Sequence, residues 1–211
     1  MWTGRLDEGL DHFRRALATE ADDPRLRATA LTSMGMLAHL LHRDVEAAGY
    51  LRRALAITHD NPRTTALGLN NLGLTEGRLG YRDAALDHHR RALALARQAG
   101  SSAAERAALL GLGETSLRLG LPAEDPFRRA RDLARRGQFR MQEALALDGL
   151  AHATGERGAW YEALAIFTDL GVAQAGLVRA HLDSPGTPSC DLCRVTPAVV
   201  VTRQRAAALV R

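Results

Sequence analysis

Apolar positions recur along this chain at i, i+3, i+4 and i+7, the spacing of one face of an α-helix, in paired stripes separated by short turns. The pattern predicts helices near 5–19, 25–41, 44–58, 63–79, 82–98, 102–118, 124–136, 139–155 and 159–169. A closing helix over Val172–Leu182 covers the last apolar face. Pro24, Pro62, Pro122 and Pro126 stand where a helix should stop or start. From residue 183 the periodicity ends, and Pro185, Gly186, Pro188 and Pro197 mark 183–211 as a flexible tail behind a helical domain of 1–182.

The stripes are copies of one another. Arg-Arg-Ala occurs at Arg14-Arg15-Ala16, Arg52-Arg53-Ala54, Arg90-Arg91-Ala92 and Arg128-Arg129-Ala130, at a constant spacing of 38 residues. A bulky residue precedes each copy: Phe13, Leu51, His89 and Phe127. A second landmark is a Leu followed four residues later by Gly, in Leu31–Gly35, Leu69–Gly73 and Leu109–Gly113, with a weaker copy in Leu147–Ala151. A third series, Gly4, His42, Gly80, Gly120 and Gly158, predicts a turn in each period. The small residue at Gly35, Gly73, Gly113 or Ala151 lets a second helix come close. Ala47, Ala85 and Ala163 do the same from the other side, and Phe13, Leu51, Phe127 and Phe167 fill the remaining space.

Composition narrows the fold class to all-α. Hydrophobic residues make up 46% of 211, enough for a core, yet aromatics are only 4% and the apolar content is mostly Ala and Leu. That bias suits closely packed helices and disfavours a β-sandwich. No stretch approaches the roughly 20 apolar residues of a membrane span, so no membrane partner is expected. Met1-Trp2-Thr3-Gly4-Arg5 lacks the apolar core of a signal peptide, which makes the cytoplasm the expected location. There is no Lys, so all 28 basic residues are Arg, as a GC-rich bacterial genome would encode. Arg does not titrate below about pH 12, which reconciles an isoelectric point near 9.8 with a net charge of only +4. A net +4 spread over the whole chain is weak reason to expect nucleic acid.

Repeats of this kind call for comparison with helical-repeat families. The order of small, bulky and Ala positions over residues 4 to about 171 resembles the tetratricopeptide repeat, in units about one helical turn longer than the family's usual ~34 residues. Two departures stand out: no Trp opens the first helix of a unit, and Ala38, Glu76, Ser116 and Thr154 occupy the family's Tyr position. The resemblance implies a right-handed superhelical solenoid of α-α hairpins, whose concave surface is lined by first helices and binds a protein or peptide. Carried over position by position, it implies a concave face with Thr32, Met36 and His39 on one helix and Asn70, Asn71, Leu74 and Arg78 on the next. Glu114 and Arg118, then Asp148 and His152, continue it. An Asn amide both donates and accepts and so can hold an extended peptide backbone, and Arg78 and Arg118 can take a carboxylate bidentately. The Lys residues of the family's carboxylate clamp are absent.

The remaining polar features carry less. Acids sit one turn before the Arg pairs (Asp11 before Arg15, Asp87 before Arg91, Glu124 before Arg128, Asp125 before Arg129), which is the pattern of a solvated helix face rather than a phosphate-binding stripe. His39 and His42 share a helix face without a third metal ligand, and His89 takes the slot filled elsewhere by Phe. In the tail, Cys190-Asp191-Leu192-Cys193 has the spacing of half a zinc site; His181 lies nearby but does not complete four ligands, and the pair reads as free thiols. No Gly-rich phosphate loop, G-x-S-x-G or H-E-x-x-H is present. The expectation is therefore a non-catalytic binding module without metal or cofactor.

Ala163–Leu182 further resembles the C-terminal tetratricopeptide region of SARP and large LuxR-type bacterial transcription regulators. That resemblance implies a sensory or regulatory part in which a bound partner changes the solenoid's curvature. Nucleic acid would then be contacted only through other domains of a longer parent protein. The alternatives are a stand-alone adaptor or scaffold, and a nucleic-acid-contacting solenoid using the Arg-Arg stripe. Residues 1–4 hold only the end of a first helix on this reading, so Met1 either starts inside a repeat of a longer protein or another element covers that face.

Overall fold

A computed structural model describes residues 3–19, 23–58 and 60–183, with side chains from 7 to 15, 23 to 58 and 60 to 183. The predicted tail, including Cys190 and Cys193, lies outside the described residues apart from Asp183. Among the described residues the protein is all-helical, with ten α-helices. They are α1 (Thr3–Thr19), α2 (Pro24–Leu40), α3 (Asp44–Thr58), α4 (Pro62–Arg78), α5 (Arg82–Gln98), α6 (Ser102–Arg118), α7 (Glu124–Arg136), α8 (Arg140–Thr154), α9 (Arg157–Asp169) and α10 (Gln174–Asp183).

Local sequence sets the helix ends. Pro24 and Pro62 open α2 and α4 at the position where a missing N–H costs nothing. The preceding Asp23 and Asn61 cap them: Asp23 Oδ1 accepts from the Arg25 N–H at 2.7 Å, and Asn61 Oδ1 from those of Arg63 and Thr64 at 3.1 and 3.2 Å. The turn series is present at His42, Gly80 and Gly120, which take left-handed φ values of 59°, 85° and 68° after α2, α4 and α6. Its two ends need correction. Gly4 lies within α1 and Gly158 within α9, and the turn after α8 is made by Gly155 at φ 78°. There Gly155 follows directly on the last residue of the helix, where a C-terminal glycine is needed, whereas Gly158 falls after the next helix has begun.

The chain divides into two compact units, Met1–Gly111 and Leu112–Arg211, with the division inside α6. In the first unit α1 packs on α2, α2 on α3, α3 on α4 and α4 on α5, and the alternate helices α2 and α4 also touch. Ala66, Ala96 and Ala104 join α4 and α5 to the start of α6. In the second unit α7, α8, α9 and α10 pack in chain order. Its core gathers Ala144, Leu147, Ala151, Ala159, Ala163, Phe167, Val178 and Leu182, so the closing helix does cover the last apolar face. The landmark leucines Leu31, Leu69, Leu109 and Leu147 are all buried.

Small residues hold the helices together where the repeat places them. A Cβ on Gly73 would lie 2.8 Å from the His89 ring and 3.1 Å from the Ala85 carbonyl oxygen; one on Gly35 would lie 2.6 Å from Leu51 Cγ. In the second unit, a Cβ on Gly113 would meet the Phe127 ring at 2.8 Å. The bulky side chain also has a second glycine that the repeat landmarks do not include. His89 packs against Gly111 of α6, and Phe127 against Gly149 of α8. Each large ring is thus clasped between two helix backbones.

This clasp predicts opposite outcomes for the same substitution. Gly149→Ala drives a methyl into Phe127, 2.6 Å from Cδ1, and is expected to destabilise by about 1–3 kcal/mol despite the better helix propensity of Ala. Gly49→Ala, where nothing lies within 4 Å, is expected to stabilise by about 0.5–1 kcal/mol. Urea unfolding of both variants beside the parent protein checks the pair.

Candidate partner-binding face

In the first unit the face expected to bind a partner is built by α2 and α4. Leu26, Thr29, Ser33, Met36 and Leu40 fall on one stripe of α2, and its large apolar members are exposed, Met36 at 49%. The positions 38 residues on, Leu67, Asn71, Leu74 and Arg78, occupy the same phase of α4 and are half-buried. Thr32 sits beside the stripe, its hydroxyl donating to the Ala28 carbonyl at 2.9 Å. Asn71 is half-buried, and its main-chain carbonyl accepts from Thr75 Oγ1 at 2.9 Å.

The polar residues at the C-terminal ends of these two helices face each other instead of open solvent. Arg78 Nε donates to Asp44 Oδ1 at 3.1 Å, and its terminal nitrogen donates both to that carboxylate and to the His39 carbonyl at the end of α2. His39 Nδ1 donates to the same Asp44 oxygen at 3.0 Å, with Thr75 Oγ1 at 3.3 Å. One guanidinium therefore ties the end of α2, the start of α3 and the last turn of α4 together. Its fork is occupied by the chain's own carboxylate.

Asn70 has a different role from its neighbour. It is 5% exposed, and its Oδ1 accepts from His89 Nδ1 at 3.0 Å. His89 is enclosed by Gly73 and Gly111, and burial, with the adjacent His88 adding to it, pushes its pKa down to about 3. Glu76 is also buried. It accepts from Arg52 of α3 at 2.7 Å and from His88 Nδ1 of α5 at 2.8 Å, bracing three helices around one carboxylate. Neither contact was legible from spacing, because the partners lie 24 and 12 residues away on other helices.

The second unit places its expected residues in two groups. Arg118 donates to Glu114 one turn earlier at 2.7 Å, while its Nε is buried without a hydrogen-bond partner. Asp148 Oδ1 accepts from the Trp160 indole N–H at 3.1 Å. His152 is buried, its ring edge-on to Trp160 and to His181 at centroid distances of 5.3 and 4.8 Å. These last two residues form the junction of α8, α9 and α10.

The Arg rows are largely ion-paired. Arg91–Asp87, Arg128–Glu124 and Arg129–Asp125 are the expected i, i+4 pairs. In the first row Asp11 pairs with Arg14 at 2.8 Å, and the exposed Arg14 also reaches Glu46 of α3 at 2.6 Å. Arg15 Nε donates to the Asp11 carbonyl at 3.4 Å.

Two measurements follow. Arg78→Ala strips charge-assisted bonds from Asp44 and a helix carbonyl, and thermal unfolding is expected to show a loss of about 1.5–3 kcal/mol, with Arg78→Lys recovering only part because a point charge cannot span both acceptors. His89 is held neutral when folded but takes a proton near pH 6.5 when unfolded. The unfolded chain thus binds more protons between about pH 6.5 and 3, and stability falls as pH drops through that window, by up to about 1.4 kcal/mol per pH unit. Replacing the pair by Asn70→Leu with His89→Phe is expected to flatten the slope in urea titrations from pH 7 to 4. Compared with protein-family models and with curated proteins, the chain matches none of either.

Proposed function

We propose that this chain is a non-catalytic tetratricopeptide-type module that binds a protein or peptide segment across α2 and α4. The observation that carries the reading is the unburied apolar stripe of α2, Leu26, Met36 and Leu40, beside the same phase of α4 with Leu67, Asn71 and Leu74. Apolar side chains exposed on α2 and half-buried in the same phase of the adjoining α4, with one amide among them, suit an extended segment that needs both contact area and a main-chain hydrogen bond. On this reading the module is the sensory part of a bacterial transcription regulator, with nucleic acid contacted through other domains. The paired state of the Arg rows argues against direct phosphate contact.

The test is selection of a random-peptide phage library on the purified chain, followed by affinities of the enriched peptides. Leu74→Glu and Asn71→Ala are expected to weaken binding by about tenfold or more, and raising salt from 50 to 200 mM to change it little. Loss of about a thousandfold over that salt range would mark a polyelectrolyte site instead. An absence of enrichment, or peptides indifferent to both variants, overturns the proposal. Arg78 is unsuited to this test because its loss loosens the fold itself.

A further inference from the structure

The two helices of the partner-binding face differ from their neighbours in charge. α2 contains Arg25, Arg27 and no Asp or Glu. α4 contains Arg63, Arg78 and a single acid, Glu76. Glu76 is 3% exposed and already accepts from Arg52 and His88, so it offers a partner nothing.

Two of these arginines stand at matched places. Arg25 and Arg63 are each the second residue of their helix. Arg25 precedes Thr29, Met36 and Leu40 by 4, 11 and 15 residues, and Arg63 precedes Leu67, Leu74 and Arg78 by the same offsets. At 3.6 residues per turn those offsets fall within about 60° of one phase, so each arginine heads the stripe of its own helix. Both are exposed, and among the described residues neither guanidinium has an ion-pair or hydrogen-bond partner; their main-chain N–H groups donate to Asp23 and Asn61. The acids just before the two helices are committed: Asp23 Oδ1 caps α2, and Asp60 is likewise engaged. At the other end of α4 the charge is spent, because Arg78 is held by Asp44 and the His39 carbonyl. The face therefore carries uncompensated positive charge at its N-terminal end and an apolar middle.

We propose that the partner of this face is an acidic segment, whose Asp or Glu side chains seat on Arg25 and Arg63 and whose apolar residues lie along Met36, Leu67 and Leu74. This rests on the reading of α2 and α4 as the binding face and adds to it the charge and direction of what binds. A guanidinium takes a carboxylate through two parallel N–H···O bonds. Exposed pairs of this kind contribute little affinity but discriminate by sign, since a basic segment meets repulsion at the same place. Neither helix carries a Phe, Tyr or Trp on which a base could stack, which favours a polypeptide over a nucleic acid as the source of negative charge.

The test takes peptides enriched from the random library on the unaltered full chain and measures their affinities for altered chains. They are expected to carry an excess of Asp and Glu beside their apolar residues. Arg25→Gln or Arg63→Gln should weaken them by about two- to fivefold, and Arg25→Glu combined with Arg63→Glu by about tenfold or more. Glu in a first turn favours a helix, so the doubly reversed chain should melt with the parent. Peptides whose acids are changed to Lys should bind the doubly reversed chain better than the parent. Peptides that need Leu74 but lack an acidic excess, or that bind the doubly reversed chain as tightly as the parent, overturn the proposal and leave the binding face standing. So does a peptide whose binding is lost on amidation of its C-terminus while its acidic side chains are dispensable. Absence of enrichment, or indifference to Leu74→Glu, overturns both readings. A single-stranded oligonucleotide that binds the parent but not the doubly reversed chain, with no peptide enriched, assigns the arginines to nucleic acid and likewise overturns both.

Discussion

The close approach of a bulky second-helix side chain to the bare backbone of a first helix is the contact on which the rest of this protein depends. His89 between Gly73 and Gly111, and Phe127 between Gly113 and Gly149, leave no room for a methyl group on either flank. Interiors packed at crystal-like density turn such a fit into a specification of which helices meet and at what register. A hairpin of two short helices cannot bury its apolar face alone, so the ring that fills the space between one first helix and the next is also what couples consecutive hairpins. The preponderance of Ala in the core serves the same end: Ala47, Ala85 and Ala163 are fully buried, and small contact residues keep the helices near enough for one ring to reach both sides.

Polar groups brace this frame from its edges. Arg78, His39 and Asp44 lock the turn between α2 and α3 to the end of α4, and Glu76 with Arg52 and His88 ties α3, α4 and α5. A buried carboxylate is tolerated only when its desolvation is offset by partners, and Glu76 has two. These networks consume much of the polar capacity on which a binding face would draw. What remains for a partner on α2 and α4 is the apolar stripe, the Asn71 amide and the guanidiniums of Arg25 and Arg63, so affinity there would rest on buried area and main-chain hydrogen bonding more than on exposed charge, which selects among partners.

The second unit uses histidine differently from the first. His89 is a neutral ring filling a slot that Phe13 and Phe127 take in other copies, and burial, with the adjacent His88 adding to it, depresses its pKa. His152 and His181 instead present like atoms to each other with their opposite nitrogens anchored. The same residue type therefore fills a packing slot in one place and closes a junction of helices in the other; the difference lies in what faces each nitrogen.

Helix positions, the turn residues His42, Gly80 and Gly120 and one small-residue contact in each unit were legible in the chain, because each depends on neighbours within one repeat: a 3.6-residue period, a Pro at a helix start, a left-handed residue 38 or 40 positions after the last. The errors fell where the repeat degenerates, at Gly4 and Gly158, since a series of spacings continues in arithmetic after its structural cause has ended. The expected binding residues were legible only as a helix phase. Phase places a side chain on a face but not its partner, so Asn71 and Leu74 could not be told from Asn70, which turns to His89, or from Arg78, which turns to Asp44. By itself, then, the sequence determined the secondary structure, the repeat and one glycine on the flank of each bulky side chain, all consequences of short-range periodicity, while the second glycine of each clasp, Gly111 and Gly149, came only from the fold. Only the tertiary structure decided the partners of Glu76 and Arg78 and the meeting of His152 with His181, because those depend on helices 12 to 34 residues apart arriving at one point.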